Sequence, residues 1–300
     1  MFNMPFGYGR LASETDPLER FTLLFGLGFA ALIGLIAGRP LLGLAVGAAN
    51  LVLAVTAALL IPRIRAAHAP GIAWFGTALP LLVFFAFYRE AMLVLTSGKL
   101  AWRDAELSRL ELGLTWAIPT LHSALLGEWL AFAYMAYLPM LLLATWILFR
   151  ASGRDASSRA RRMVRAVCIT WGCCFVLYLL YPVLGPRFLE PGIQLARLGN
   201  GPFSRAAIEN QQRFMLHGGA FPSAHVAASV VALAALWTWR RGWLWVFVPL
   251  VVNLTAAAVY LNYHYAIDAL VGGMLGGAVF LADLRFICRG QLAVSSAEGG

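Results

Sequence analysis

The chain has 300 residues, of which 61% are hydrophobic and 12% are charged, and its formal net charge is +9 at pH 7. A soluble domain needs roughly 25% charged residues to cover its surface, so this composition excludes an ordinary soluble fold and indicates a polytopic membrane protein. Arginine supplies almost all of the positive charge, which we interpret as marking cytoplasmic loops and contact with anionic lipid rather than nucleic-acid binding.

The apolar segments predict transmembrane helices, because about 20 apolar residues cross the hydrocarbon core and every backbone polar group there needs an internal partner. The predicted fold is therefore an all-α polytopic helical bundle. We expect N-terminal helices with an outer amphipathic segment over 1–160, a transmembrane core over 161–289 and a disordered tail over 290–300. The eight predicted segments are 21–38, 41–61, 72–88, 127–149, 164–184, 222–239, 243–261 and 265–284.

Arginine clusters orient this bundle, since with eight crossings they all fall on one face. The positive-inside rule makes that face cytoplasmic and places both chain ends there. We expect an integral protein of a bacterial-type inner membrane. The arginines concerned are Arg10, Arg20, Arg63, Arg65, Arg150, Arg154, Arg159, Arg161, Arg162, Arg165, Arg240, Arg241, Arg285 and Arg289.

Two long connections, 89–126 and 185–221, then lie on the outer face. The first contains apolar residues at helical spacing, which predict an amphipathic helix on the membrane surface. His225 and His264 fall on the same outer face, so residues that are distant in sequence converge there. The apolar residues of that helix are Trp102, Leu107, Leu110 and Leu114.

The sixth segment begins with the stretch GGAFPSAHVAAS, residues 218–229. Pro222 suits the first turn of a helix, Ser223 can cap it or donate a hydrogen bond, and free N–H groups at a helix start favour an anion such as phosphate. A lone histidine at a helix end, as at His225, is more often structural. The PSxH context and a second histidine on the same face favour a functional site.

That second histidine lies in NYHYAID, where His264 and Asp268 share one face of a helix at positions i and i+4. An ionisable pair inside a span is costly, which favours a functional role. A carboxylate that accepts from one ring nitrogen fixes the tautomer and leaves the other nitrogen as a nucleophile. The structural alternative is a buried pair that holds the last segment against its neighbours.

Further features have weaker signals. The prolines of LYPVLGPRFLEP break the fifth segment, and Arg187 is placed to bind an oxyanion or, alternatively, to extend to the interface. Metal-binding HExxH and CxxC patterns are absent, so neither a metal nor a cofactor is expected. The cysteines indicate packed thiols and GGMLGG indicates close helix packing. No role is predicted for His68, His122, His217 or Glu128.

These motifs together are similar to those of the PAP2 superfamily. FPSAHVAAS resembles its second signature and YHYAID its third, while LYPVLGPRF, GAFPSAH and HYxxD resemble the inositol phosphorylceramide synthase branch. The resemblance covers about Leu180 to Asp283. It departs from the wider family at Ala224, where glycine is usual, and at Ala258, where an arginine is usual, and the lysine-bearing first motif is missing.

The resemblance implies that the core over 161–289 is catalytic, that the helical bundle is like that of vanadium haloperoxidases, and that the mechanism proceeds through a phosphohistidine without metal. In it His264 would attack phosphorus, Asp268 would orient His264, and His225 would protonate the leaving alkoxide. Arg187 and Ser223 would hold the phosphoryl oxygens.

The implied function is transfer of a phospholipid head group to a lipid alcohol at the outer face, with membrane lipids as partners. Three alternatives remain. The acceptor could be water, as in a lipid phosphate phosphatase. The histidines and aspartate could form the proton relay of a lipid transporter or flippase. The chain could also be a non-catalytic relative that binds head groups.

Overall fold

The computed structural model describes residues 17–96, 100–111, 123–151, 155–214 and 218–297. All regular structure in these residues is helical, which confirms the predicted fold class. The helices are α1 Pro17–Ile36, α2 Pro40–Arg65, α3 Pro70–Leu95, α4 Asp104–Leu110, α5 Ala124–Met135, α6 Tyr137–Phe149, α7 Ala156–Leu180, α8 Pro186–Leu189, α9 Pro191–Arg197, α10 Pro202–Phe214, α11 Ala224–Trp239, α12 Leu244–Tyr260 and α13 Ala266–Ala297, with a 3₁₀ turn at Arg241–Trp243.

Helices form at all eight predicted segments, but eight membrane crossings are not confirmed. Among the described residues, five helices are long and apolar enough to cross, and α5 with α6 makes a sixth if this pair, bent by 50°, is one span. The apolar part of α1 and the whole of α11 are shorter. The 16 residues of α11 extend about 24 Å, less than the ~30 Å of a hydrocarbon core. The five helices that are long and apolar enough to cross are Pro40–Arg65, Pro70–Leu95, Ala156–Leu180, Arg241–Tyr260 and Ala266–Arg285.

The arginines predicted to separate the fourth and fifth segments lie partly inside a helix, because α7 begins at Ala156 rather than at 164. Arg162 donates from Nε to Asp283 Oδ2 at 3.1 Å, and Arg165 donates from Nε to Asp283 Oδ1 at 3.1 Å. Asp283 belongs to α13. These two ion pairs therefore hold the N-terminal part of α7 against α13, at a position on α13 that is distant from His264.

The chain divides into two compact units, Met1–Val83 and Phe84–Gly300. In the first unit α1 and α2 pack closely, since a Cβ on Gly34 would lie 2.9 Å from Cα of Gly43. The side-chain amide of Asn50 donates to the Gly26 carbonyl at 2.9 Å, which links the two helices further. The predicted functional division after residue 160 stays a prediction.

The second unit is built around α7 and α11. Helix α7 packs against α6, α11 and α13, and α11 packs against α6, α7, α12 and α13. Small and branched apolar side chains make these close approaches possible. The buried apolar residues of α11 include Val226, Ala227, Ala228, Val231, Ala232, Ala235 and Leu236.

Two glycines of GGMLGG, Gly272 and Gly276, make the close helix contact that the sequence predicts. A Cβ on Gly272 would lie 3.2 Å from the backbone N of Ser223, and one on Gly276 would lie 2.9 Å from the carbonyl carbon of Ala227. Only glycine allows α13 to approach the backbone of α11 this closely. The helix that follows His264 is thereby held against the helix that begins with His225.

The predicted amphipathic outer segment contains the short helix α4. Leu107 is 2% exposed and packs with Val183, Ala220 and Tyr265, whereas Leu110 is exposed on the other side. Leu114 lies outside the described residues. Helix α4 therefore contacts the protein directly, close to the segments that carry the candidate site.

Candidate active site

His264 lies in the connection Leu261–Tyr265 between α12 and α13, so the prediction that it shares a helix face with Asp268 is wrong, because α13 begins only at Ala266. Asn262 takes the left-handed conformation with a φ of 58°, which turns the chain sharply. The backbone N–H groups of Tyr263 and His264 then both donate to the carbonyl of Ala258, at 3.1 and 2.9 Å. The backbone of His264 is thus fixed by the end of the preceding helix.

The Nδ1 atom of His264 lies 2.8 Å from the carbonyl oxygen of Ala220 and 3.4 Å from Oδ2 of Asp268. A carbonyl oxygen can only accept, so this geometry assigns the ring proton to Nδ1 and leaves the lone pair on Nε2. We predicted that Asp268 fixes the tautomer. In the structure a backbone carbonyl is the nearer acceptor and the carboxylate is the second.

Asp268 is fully buried and lies in the first turn of α13. Its Oδ2 accepts from the backbone N–H of Tyr265 at 2.9 Å, which is half of a capping box. Its Oδ1 has no hydrogen-bond partner among the described residues. The carboxylate therefore has one oxygen anchored beside His264 and keeps acceptor capacity on the other.

His225 lies in the first turn of α11. Ser223 caps this helix, with its hydroxyl accepting from the Val226 N–H at 3.5 Å, while its own backbone N–H donates to the Asp268 carbonyl at 3.0 Å. Pro222 precedes the cap instead of standing in the first turn. The ring centroids of His225 and His264 are 6.2 Å apart. The structure therefore brings both predicted histidines, Ser223 and Asp268 together.

Two tyrosines that the sequence analysis missed enclose His225. The rings of Tyr134 and Tyr137 lie 4.8 and 4.5 Å from its ring, and the Tyr134 hydroxyl lies 3.4 Å from its Nδ1. The Tyr137 hydroxyl accepts from Trp171 Nε1 at 2.8 Å. The tyrosines stand on either side of the bend between α5 and α6. Their spacing of three residues in an apolar segment was the signal that could have revealed them.

Arg187 belongs to α8, which begins just after Gly185. Its guanidinium lies 5.6 Å from the centre of the Tyr263 ring, and that ring stacks on Tyr134 at 4.1 Å. Tyr134 in turn stacks on His225. Arg187 is therefore in the same cluster as the two histidines, as the sequence predicts, and its side chain is ordered by aromatic contacts.

The electrostatic setting keeps His264 neutral. The pKa of the His264 imidazole is lowered to about 3, mainly by burial and also by the charges of His225 and Arg187, while the hydrogen bond to Ala220 acts in the opposite direction. A neutral imidazole with a bare Nε2 is the form that can attack an electrophile.

Two carboxylates in the connection 89–126 also belong to the surroundings of the site. Asp104 accepts from the N–H groups that precede α8, and Glu111 accepts from the first N–H groups of α13. Glu128, which had no predicted role, accepts from the N–H groups of Phe203 and Ser204 at the start of α10. Their partners are distant in sequence, so no pattern pointed to them.

Other candidates lie apart from this cluster. Cys168, Cys173 and Cys174 are free thiols, as predicted, and the side chain of Cys288 lies outside the described part of the chain. His122 and His217 are also outside it, and His68 is exposed in the first unit. Within the described residues, no group of three His, Cys, Asp or Glu side chains could hold a metal ion.

A buried histidine with an available Nε2, a carboxylate behind it, a second histidine across from it and a nearby arginine are the groups that phosphoryl transfer through a histidine would require. The family model of the PAP2 superfamily matches residues 106–282, a range that runs from α4 to α13 and contains the whole cluster. The chain therefore belongs to the PAP2 superfamily, whose members are phosphatases and phosphotransferases. Among curated proteins and solved structures no match reaches significance.

Proposed function

We propose that this chain is an integral-membrane phosphotransferase that moves a phospholipid head group to a lipid alcohol through a phosphohistidine, at the outer face of the membrane. The observation that carries the proposal is the environment of His264. Its Nδ1 is held by the Ala220 carbonyl and Asp268, so Nε2 is the nitrogen available to attack phosphorus.

In the first step, Nε2 of His264 attacks the phosphorus of the donor phosphodiester. The P–N bond forms while the bond from phosphorus to the glyceride oxygen breaks, and the imidazolium form of His225 donates its Nε2 proton to that leaving oxygen and becomes neutral. His264 becomes positively charged, and Asp268 at 3.4 Å from Nδ1 stabilises this charge. Arg187 and the hydroxyl of Ser223 bind the phosphoryl oxygens.

In the second step, the acceptor hydroxyl loses its proton to His225 and its oxygen attacks phosphorus. The P–N bond breaks, and His264 returns to its neutral form. Tyr134 places its hydroxyl 3.4 Å from Nδ1 of His225, which leaves Nε2 of that ring for both proton transfers. Tyr134 thus has the orienting role towards His225 that Asp268 has towards His264.

The surroundings of His225 favour a lipid alcohol over water as the acceptor. The tyrosine rings at 4.8 and 4.5 Å form an aromatic wall around it. Such a wall excludes water and accommodates an apolar chain. The departures from the wider family at Ala224 and Ala258 also support the transferase branch over a simple phosphatase.

The two histidines can be distinguished by trapping the intermediate. With a nitrophenyl phosphodiester, whose leaving group needs little protonation, we expect the His225→Ala protein still to accumulate on His264 the phosphoryl group with its remaining ester, in an acid-labile and base-stable linkage. The His264→Ala protein should form no phosphoenzyme and show no turnover. Label that persists in His264→Ala and disappears in His225→Ala would mean that the roles are reversed.

The acceptor can be identified with purified protein and a panel of labelled phospholipids, with and without lipid alcohols. We expect mass spectrometry to detect a new lipid that carries the donor head group only when an alcohol is present. Release of the free head-group phosphate at the same rate with and without alcohol would instead identify a phosphatase. Movement of intact lipid across a liposome bilayer without any new product would identify a transporter.

A further inference from the structure

Asp104, on the first turn of α4, binds the chain segment that leads into α8. Its Oδ2 accepts from the Leu184 N–H at 2.9 Å and its Oδ1 accepts from the Gly185 N–H at 2.8 Å. Gly185 has a φ of 96°, and a Cβ there would lie 3.0 Å from the Ala220 side chain. The start of α8, and with it Arg187, is therefore held in one tightly packed arrangement.

Glu111, directly after α4, binds the start of α13 in the same way. Its Oε1 accepts from the Ala266 N–H at 2.6 Å and its Oε2 accepts from the Ile267 N–H at 3.1 Å. These two N–H groups have no partner within their own helix, because the first turn of any helix leaves its donors unsatisfied. His264 lies two residues before Ala266, and Asp268 directly follows Ile267.

Both carboxylates are buried, with Asp104 6% and Glu111 3% exposed. A buried carboxylate is costly unless it is hydrogen-bonded, and here each one uses both oxygens on backbone donors. The positive end of a helix dipole adds to the attraction. One short helix thus binds two segments that are distant in sequence, and those segments carry the predicted phosphate ligand and the predicted nucleophile.

We infer that Asp104 and Glu111 are positioning residues of the phosphoryl-transfer site, Asp104 acting through Arg187 and Glu111 acting through His264 and Asp268. The inference rests on the proposed function. An amide cannot replace either carboxylate, because it offers one acceptor oxygen while its NH₂ group would face a backbone N–H. Each amide variant should therefore release one of the two contacts.

Glu128 provides a matched control. It too binds two N–H groups at the start of a helix, from Phe203 at 3.0 Å and Ser204 at 3.1 Å. That helix, α10, carries none of the proposed site residues. Glu128→Gln therefore tests the general cost of losing such a cap without displacing the site.

The experiment measures kcat, KM and thermal unfolding for Asp104→Asn, Glu111→Gln and Glu128→Gln with one phospholipid donor in one detergent. Loss of an orienting group behind a functional residue typically costs roughly 10–100-fold. We expect Glu111→Gln to lower kcat by about that factor with KM nearly unchanged. Asp104→Asn should mainly raise KM, because Arg187 binds the donor phosphate. Glu128→Gln should lower the unfolding temperature without changing kcat or KM.

A double variant separates positioning from general destabilisation. If Glu111 acts through Asp268, Glu111→Gln should lower the activity of an Asp268→Asn protein far less than that of the wild type. Should Glu111→Gln not fold, Glu111→Asp keeps the charge but shortens the reach, and it should lower kcat in the same selective way.

The outcomes also separate this inference from the proposed function. An active wild-type protein whose Asp104→Asn and Glu111→Gln variants behave like Glu128→Gln overturns the inference alone. The inference alone is also overturned if the losses of activity from Glu111→Gln and Asp268→Asn are fully additive in the double variant. A wild-type protein that transfers no phosphoryl group to alcohol or water overturns the proposed function, and the inference with it.

Discussion

Replacing Gly276 by alanine should separate the two helices that carry the histidines. The added Cβ would lie 2.9 Å from the carbonyl carbon of Ala227 on α11. Carbon atoms pack best at roughly 3.5–4.0 Å, so α13 would have to move away from α11 by about 1 Å. His225 begins α11 and His264 precedes α13, so the shift reaches the proposed reacting groups.

The size of the effect follows from this displacement. A misplacement of about 1 Å at a reacting centre can cost on the order of 100-fold in rate. Overpacking of this kind typically lowers the free energy of unfolding by about 1–3 kcal/mol, partly offset by the gain of up to ~1 kcal/mol when alanine replaces glycine in a helix. We therefore expect Gly276→Ala to lose roughly 100-fold in phosphoryl transfer and to unfold at a lower temperature.

The adjacent residue supplies the control, because a Cβ on Gly277 would meet nothing within 4 Å. Gly277→Ala should keep the wild-type rate and match or exceed its unfolding temperature. The assay is the initial rate of head-group transfer in detergent micelles, with thermal unfolding in the same detergent. Equal rates and unfolding temperatures for Gly276→Ala and Gly277→Ala would refute the argument that the close α11–α13 contact sets the geometry of the site.

Three further predictions concern topology, metal and pH. In a protein lacking Cys173 and Cys288, Gly192→Cys should react with an impermeant thiol reagent in intact cells and Gly242→Cys should not. Both positions accept a side chain, since a Cβ at either glycine meets nothing within 4 Å. The opposite labelling would place the site in the cytoplasm. Dialysis against EDTA should leave turnover unchanged, because the proposed nucleophile and proton donor are histidine nitrogens; a loss restored by zinc or magnesium would contradict this. Because the pKa of His264 is lowered to about 3, its neutral form persists on acidification. The rate at which a nitrophenyl phosphodiester phosphorylates the His225→Ala protein should therefore stay constant from pH 7 to pH 5. Over the same range, the neutral fraction of a histidine with a pKa of about 6.5 would fall roughly 25-fold, and the rate with it.

Several features of this protein follow from local sequence alone. The apolar composition determines a helical membrane bundle, because helices satisfy their own backbone in hydrocarbon. The i, i+4 spacing of His264 and Asp268 indicates that the two side chains meet, although only Asp268 lies on a helix, and the prolines after Leu180 end α7 as predicted. The glycine spacing of GGMLGG determines a close helix contact, though not its partner.

The tertiary structure alone decided which distant groups complete the site. The carbonyl that holds His264 comes from Ala220, the hydroxyl at His225 comes from Tyr134, and the carboxylate at the start of α13 comes from Glu111. These partners are 44, 91 and 155 residues away, respectively. Periodicity describes which face of a segment is apolar, but a hydrogen bond between segments depends on their packing and register. That is why His264 could be proposed as the nucleophile from its own neighbours, whereas the groups that contact its ring became apparent only in the fold.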